Sequence, residues 1–273
     1  MMQPTYLPTR RAARRTVLAA ALLFATGAPV LPLVTPPLAA QSSADLLSAG
    51  DRESEARRPA LALANYEKVI QADPRAYAAL WRAAREAVDL GEFEPDAKIR
   101  GALYTRAAGY ARRAVVVNPG DAEGHFQLAR AVGRTALAAG PREKVKYSVE
   151  VRDAALKALQ LNARHPGALH VLGVWNAEVM RLNGFTRGVA KALLGGQVLA
   201  TASWPEAIRY MEQSVAVEPN RLVHHLDLAR VYRDAGRPGD ARAAYQAALR
   251  SPTQDANDDV YRRHADEELK KLR

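Results

Sequence analysis

The chain has 273 residues, no cysteine and a formal net charge of +10 at pH 7. The lack of cysteine excludes disulfides, thiolate metal sites, cysteine nucleophiles and a lipid-modified lipoprotein N-terminus. The excess of Lys and Arg over Asp and Glu, 39 against 29, can favour acidic partners but identifies none of them.

The first forty residues differ in composition from the rest of the chain. Their only charges are four arginines, and an apolar run rich in Ala, Leu, Val and Pro follows over residues 16–40. A basic start followed by an apolar run is typical of an export signal. Small residues end the run at 38–40, and polar residues begin at Gln41. We therefore expect residues 1–40 to be a signal peptide and the protein to be exported to the periplasm or the envelope.

An uncleaved N-terminal membrane anchor is the alternative, since the apolar run is long enough to span a bilayer. Four prolines fall in its second half, at positions 29, 32, 36 and 37. Proline leaves helix hydrogen bonds unmade, and unpaired backbone groups are costly in lipid. The prolines therefore favour the cleaved signal over the anchor.

Proline-terminated helix ends recur through residues 41–273, at Pro74, Pro119, Pro166 and Pro219. The residues before each proline show the apolar spacing of amphipathic helices and not the alternation of strands. Each proline stops a helix and presets the turn into the next one. The prolines are 45, 47 and 53 residues apart. These spacings predict two-helix units with inserted segments at 92–95, around 139–141 and at 183–203.

The same patterns predict eleven helices. Helix pairs of this kind cannot bury their apolar faces alone, so the pairs are expected to stack into one folding unit. The acidic run at 255–259 is expected to be a solvated turn that caps the last, highly charged helix. The predicted helices cover residues 43–57, 60–72, 76–90, 97–117, 121–138, 142–162, 166–182, 204–217, 221–235, 239–250 and 257–272.

One stretch carries the spacing of the tetratricopeptide (TPR) repeat. Its small residues let two antiparallel helices approach closely, its large apolar residues fill the space between them, and Gly236 lets the chain turn. The pattern residues are Leu228, Ala229, Tyr232, Gly236, Ala241, Tyr245 and Ala248. We therefore predict that residues 41–273 form an all-α, TPR-like α-solenoid of antiparallel helix pairs with a C-terminal capping helix.

The repeat positions also predict a ligand-binding surface. In a TPR the first helix of each pair lines a concave groove, and threading its exposed positions onto this chain gives three arginines at one repeat position. Arginines around an apolar floor suit a ligand with an anionic end and an apolar body. The alternative is that these arginines are solvated and lay their stems on apolar neighbours. The threaded residues are Trp81, Arg85, Phe126, Arg130, Arg134, His170, Glu178, Leu226, Arg230 and Arg233.

The longest insert, residues 184–203, is apolar apart from Arg187 and Lys191. It is either a mobile lid that makes peripheral contact with a membrane or a segment that packs over the solenoid.

Sequence motifs for chemistry are absent. The six histidines lack metal-ligand spacing, and the acidic run at 255–259 lacks the glycine and glutamate of a calcium loop. No phosphate loop, nucleophile elbow or nucleic-acid-binding signature occurs. We therefore expect a protein that is not an enzyme, uses no metal or cofactor and does not bind nucleic acid.

Residues 165–175 read His-Pro-Gly-Ala-Leu-His-Val-Leu-Gly-Val-Trp. This block, and blocks at 126–129, 207–210 and 223–229, resemble the regulator of microtubule dynamics family, which occurs in animals and also has bacterial relatives. The resemblance implies an all-helical, non-enzymatic domain. Animal relatives are associated with microtubules, and one on the mitochondrial surface tethers membranes and has a TPR-like domain that binds phospholipid.

The expected function is therefore that of an exported scaffold. It would bind a protein segment or an amphiphilic anionic ligand in its concave groove. The alternative is a phospholipid-binding or lipid-transfer module of the envelope, so the expected partner is a protein or a phospholipid.

Overall fold

The computed structural model describes residues 42–137, 139–182 and 197–272. These residues form eleven α-helices and one short 3₁₀ helix at Val198–Thr201, and they contain no strand. The all-helical prediction is confirmed. The predicted signal peptide at 1–40 and most of the insert at 184–203 lie outside the described residues. The helices are α1 Ser43–Glu55, α2 Pro59–Ala72, α3 Tyr77–Glu92, α4 Ala97–Val117, α5 Ala122–Leu137, α6 Pro141–Leu161, α7 Pro166–Arg181, α8 Trp204–Val217, α9 Leu222–Asp234, α10 Pro238–Arg250 and α11 Asp258–Lys271.

Consecutive helices pack against each other in pairs. We call the odd-numbered helices the A helices and the even-numbered ones the B helices. Each A helix up to α9 packs on the B helix that follows it, and each B helix packs on the next A helix. From α3 onward, each A helix also contacts the next A helix. The predicted stack of helix pairs is confirmed, and the A helices form its inner row.

Glycines lie at close contacts between the two helices of a pair. A Cβ atom on Gly50 of α1 would lie 2.4 Å from the ring of Tyr66 in α2. A Cβ atom on Gly91 of α3 would lie 2.5 Å from the ring of Tyr104 in α4. The missing side chain in the A helix therefore leaves room for an aromatic ring from the B helix, as expected of ridge-into-groove packing.

The residues of the TPR spacing have the predicted roles in α9 and α10. Leu228, Tyr232 and Tyr245 are buried between the two helices. Gly236 has a φ of +76°, a left-handed conformation that L side chains rarely adopt, and it joins the two helices.

The C-terminal helix is a cap, as predicted, but it is more buried than a charged surface helix and the acidic turn before it is not fully solvated. It packs on α9 and α10, as a cap should, but Tyr261 and Ala265 are buried. Asp258 is fully buried as well, and its Oδ2 accepts hydrogen bonds from the backbone N of Gln254 at 2.7 Å and Asp255 at 2.9 Å. The prediction of a solvated acidic turn is wrong for Asp258, because its carboxylate closes the turn from the inside.

Candidate functional site

Other parts of the chain cover most of the residues that threading places in the groove. Glu178 and Arg233 are exposed, whereas Trp81, Arg85, Phe126, Arg130, Arg134, His170 and Arg230 are partly buried. Leu226 is fully buried in α9 and packs in the apolar core of the C-terminal helices. The prediction that Leu226 lines a groove is wrong, because its position on the helix faces the core.

The threaded arginines of α3 and α5 are paired with carboxylates of α3. Arg85 donates to Glu86 Oε1 at 2.9 Å and to Ser54 Oγ of α1 at 2.8 Å. Arg130 pairs with Asp89, and Arg134 Nη2 lies 2.5 Å from Glu92 Oε1. These three arginines, which the repeat positions place around a ligand groove, are therefore already neutralised by carboxylates of α3.

Burial changes the protonation equilibria of these groups. Burial alone would lower the pKa of Arg130, but the negative charges of Asp89 and Glu92 outweigh it and raise that pKa above its usual value. Burial raises the pKa of Glu86, although Arg85 opposes the shift. Arg130 therefore stays protonated in its ion pair with Asp89, and water reaches this pair only in part.

A second ion-pair group lies at the C-terminal end of the stack. Arg230 donates through Nε to Glu268 Oε1 at 3.0 Å and through Nη1 to Asp227 Oδ1 at 2.9 Å. Arg233 Nη1 donates to Glu268 Oε2 at 3.0 Å. Burial would raise the pKa of Glu268, but its bonds to Arg230 lower it. Two arginines of α9 thus hold one carboxylate of α11.

The exposed part of this surface lies between α7 and α9. Arg181 Nη2 contacts Asp234 Oδ2 at 2.6 Å, and Arg181 Nη1 contacts Glu178 Oε1 at 2.5 Å. Arg233 contacts the other oxygen of Asp234 at 2.8 Å. Threading missed Arg181, because this residue falls outside the repeat positions used.

A buried histidine pair joins α7 and α9. The rings of His170 and His224 are 4.7 Å apart in an edge-to-face arrangement, and His170 Nε2 lies 2.9 Å from Asp227 Oδ2. His224 Nδ1 lies 3.0 Å from Ser214 Oγ, whose hydroxyl donates to Pro166 O. The serine is fully buried, so this arrangement is not accessible to a substrate. It stabilises the packing of α7, α8 and α9.

The C-terminal end of the chain reaches back to the first helices. We call residues 253–271, the last loop together with α11, the C-terminal strap. Asn257 Nδ2 donates to Asp89 O of α3 at 3.0 Å, and the ring of Tyr261 lies 5.3 Å from that of Phe93. Arg57 Nη1 donates to Thr253 O at 3.3 Å. The strap therefore contacts both the C-terminal end of α3 and helix α9. We call the inner side of the A helices from α3 to α9 the A-helix face.

Sequence reasoning did not find this cover. Residues Asp89 and Asn257 are 168 positions apart, and a repeat pattern records only the contacts within a unit and with its neighbours. Among the residues that the structure describes, no three His, Asp or Glu side chains are arranged to hold a metal ion. In the same part of the chain, no helix combines the length and apolarity needed to cross a bilayer.

Comparison with known proteins identifies relatives of this chain. A family profile described as regulator of microtubule dynamics protein 1-3 matches residues 41–273. Regulator of microtubule dynamics protein 1 of Bos taurus is 28% identical over 145 residues, which cover 52% of this chain and 44% of that protein. Regulator of microtubule dynamics protein 3 of Mus musculus is 21% identical over 189 residues, 69% of this chain and 40% of that protein. The chain spans less than half the length of these relatives.

A solved structure shares the architecture. The crystal structure of a thermophilic TPR protein from Thermus thermophilus superposes with a TM-score of 0.58 at 23% identity. The match covers 82% of this chain and 98% of that one. The helical stack is therefore TPR-like.

Proposed function

The chain belongs to the regulator of microtubule dynamics family, and we propose that it is a non-enzymatic scaffold that binds an acidic segment of a protein partner on its A-helix face. One observation supports this proposal most directly. Arg230 and Arg233 of α9 hold the Glu268 carboxylate, which comes from another helix. Guanidinium groups in this arrangement recognise carboxylates by charge and by paired hydrogen bonds.

The exposed edge between α7 and α9 is the proposed point of first contact. The side chains of Arg181 and Arg233 are 32% and 39% exposed, and both contact the shared carboxylate of Asp234. Glu178 is the most exposed partner of Arg181, so an incoming carboxylate can take its place. Association of this kind weakens as salt concentration rises.

Replacing Arg181 with glutamine is expected to weaken binding of an acidic peptide about tenfold or more, since a charge-assisted hydrogen bond contributes about 1.5–3 kcal/mol. The probe is a fluorescein-labelled helical peptide with glutamates on one face and one tyrosine, and the readout is fluorescence anisotropy. Its all-glutamine counterpart should not bind. Arg181 makes no contact with the C-terminal strap among the contacts found in the described residues, and its only link to the strap runs through Asp234 and Arg233.

The matched control is Arg75→Gln, which changes an exposed arginine in the turn before α3. This variant should bind the peptide like the unchanged protein. Equal affinity of the Arg181→Gln, Arg75→Gln and unchanged proteins would place the peptide elsewhere on the surface. Equal affinity for the glutamate and glutamine peptides would mean that the protein does not recognise carboxylates, which would contradict the acidic segment as its ligand.

A phospholipid ligand is the competing outcome. Mass spectrometry of an organic extract of the protein, purified without detergent, distinguishes the two. One phospholipid per protein molecule in the extract would indicate a lipid-binding or lipid-transfer function and contradict the protein segment as ligand. An extract without lipid would count against the lipid function.

We propose in addition that residues 1–40 direct export to the periplasm or the envelope. The four arginines followed by the apolar run at 16–40 support this proposal. N-terminal sequencing of the protein from an expressing bacterium should give a mature chain that starts near Gln41. A chain that keeps its first forty residues in the membrane fraction would indicate the anchor instead.

A further inference from the structure

The C-terminal strap contacts the rest of the stack at three separated points. Thr253 O accepts from Arg57 in the turn after α1, Asn257 donates to Asp89 O in α3, and Glu268 accepts from Arg230 in α9. A simple end cap contacts only the last helix pair. The strap instead links the first, second and last A-helix regions of the described stack.

The strap carries the groups that the proposed partner segment would offer to the A-helix face, namely carboxylates and an aromatic ring. Two of its carboxylates are paired with arginines of the stack, Asp255 with Arg221 at 2.5 Å and Glu268 with Arg230 at 2.6 Å. Its one tyrosine, Tyr261, is buried against Phe93. A helix that offers a carboxylate to these arginines and carries one such aromatic residue is therefore a ligand that this face already holds.

The fit of the strap is incomplete. Three buried carboxylate oxygens have no hydrogen-bond partner among the described residues, and two of them lie near this contact, Glu92 Oε2 in α3 and Asp258 Oδ1 at the start of α11. Unpaired buried carboxylate oxygens lower the stability of the contact that buries them. The segment 251–257 that joins the strap to α10 contains no helix. These features favour opening of the strap at its joining segment. Opening also exposes Tyr261 and Ala265, which pack in the apolar core with α9 and α10, so the closed strap is the stable form without a partner.

We infer that the C-terminal strap is an intramolecular occupant of the A-helix face, and that the face beneath it takes an acidic helical segment of a partner protein with one aromatic residue. The inference rests on the proposed function and adds that the strap regulates partner binding. The partner competes with the strap, so its apparent affinity falls with the fraction of molecules whose strap is closed.

The test uses a labelled peptide with the sequence of residues 253–272, added to the full chain. In the Glu268→Gln variant the strap loses the carboxylate held by Arg230 and Arg233, whereas the peptide retains it. We expect this variant to bind the peptide at least about tenfold more tightly than the unchanged protein does. The matched control is Glu267→Gln, which changes the neighbouring, exposed carboxylate of the same helix and should leave the affinity unchanged.

A second variant, Asn257→Ala, removes the hydrogen bond to Asp89 O at the other end of the strap. It should also raise peptide affinity, and it leaves all arginines and carboxylates in place. Hydrogen–deuterium exchange measured by mass spectrometry should show faster exchange in α11 for both variants, with α3 and α9 unchanged. Faster exchange throughout the chain would mean global unfolding and would overturn the displaceable strap.

The outcomes separate the two proposals. Tight and equal binding of the peptide to all four proteins would overturn the strap as an occupant and leave the proposed function standing. Lack of binding to every protein would overturn both. Formation of a dimer by the Glu268→Gln protein, seen by light scattering, without peptide binding would assign the face to the strap of a second copy and overturn the partner segment.

Discussion

Replacing Leu226 with alanine is expected to lower the free energy of unfolding by about 2–5 kcal/mol. Leu226 is fully buried in α9 and belongs to the core that α8, α9 and α10 share with α11. Truncation removes apolar contacts and leaves a cavity that close-packed helices fill only in part. Urea denaturation followed by circular dichroism at 222 nm measures the loss.

The matched control is Leu61→Ala. Leu61 lies in the first turn of α2, and 51% of its surface is exposed. Its truncation should change the stability by about 0.5 kcal/mol or less. If the Leu226 variant kept full stability but bound the acidic peptide more weakly, Leu226 would be a surface contact and its assignment to the core would be wrong.

The helices were predictable from local signals. Proline lies at the first helical position of α2, α6, α7 and α10 and just after the ends of α2, α4 and α8, and in both places it fixes where a helix starts or stops. The pairing of helices was predictable as well, since the small residue at Gly236 and the buried tyrosines of α9 and α10 follow a known spacing. These features depend on residues close together in the chain.

The partners of the threaded arginines were not predictable in this way. The helix position of Arg130 follows from the repeat spacing, and the structure indeed places its side chain toward the preceding A helix. Whether it is free depends on Asp89, 41 positions earlier. The same holds for Arg230, whose second carboxylate, Glu268, lies 38 positions later. Repeat spacing encodes the direction of a side chain and says nothing about the charge that another unit places opposite it.

This pairing changes how the net charge of the protein should be interpreted. The formal charge of +10 suggests arginines available to an acidic ligand. On the A-helix face, however, the threaded arginines are neutralised by Glu86, Asp89, Glu92 and Glu268. Under the proposed function, an acidic partner would therefore have to exchange one carboxylate for another at this face. Exchange of this kind makes affinity sensitive to small changes in the stability of the internal pairs, which is why the strap variants are informative.

Acidification is expected to destabilise the protein through His224. Its side chain is buried against His170 of α7, and desolvation, together with the positive charges of His170 and Arg221, lowers its pKa from 6.5 to about 2. The unfolded chain takes up a proton below about pH 6.5, whereas the folded chain does not. The contribution of His224 to the free energy of unfolding is therefore fully present above pH 6.5. It falls by up to about 1.4 kcal/mol per pH unit as the pH drops toward 2.

Other groups titrate in the same range, so the effect must be measured as a difference. Bonds from His170 and Arg230 outweigh the burial of Asp227 and lower its pKa, so this residue also loses stabilisation as the pH falls. Burial raises the pKa of Glu86 and Asp255, which acts in the opposite direction. Comparison of the unchanged protein with a single variant cancels the contributions of distant groups such as Glu86 and Asp255.

The variant is His224→Gln, which keeps a hydrogen-bond donor for Ser214 Oγ but does not take up a proton. Between pH 7 and pH 4.5 the unchanged protein should lose about 2–3 kcal/mol more stability than this variant, in urea titrations at each pH. His225→Gln is the control, because the His225 ring points outward and contacts only Pro219 O among the hydrogen bonds found in the described residues. That variant should retain the full acid sensitivity. Parallel pH profiles for all three proteins would mean that His224 is solvated, and that α7, α8 and α9 do not enclose the histidine pair.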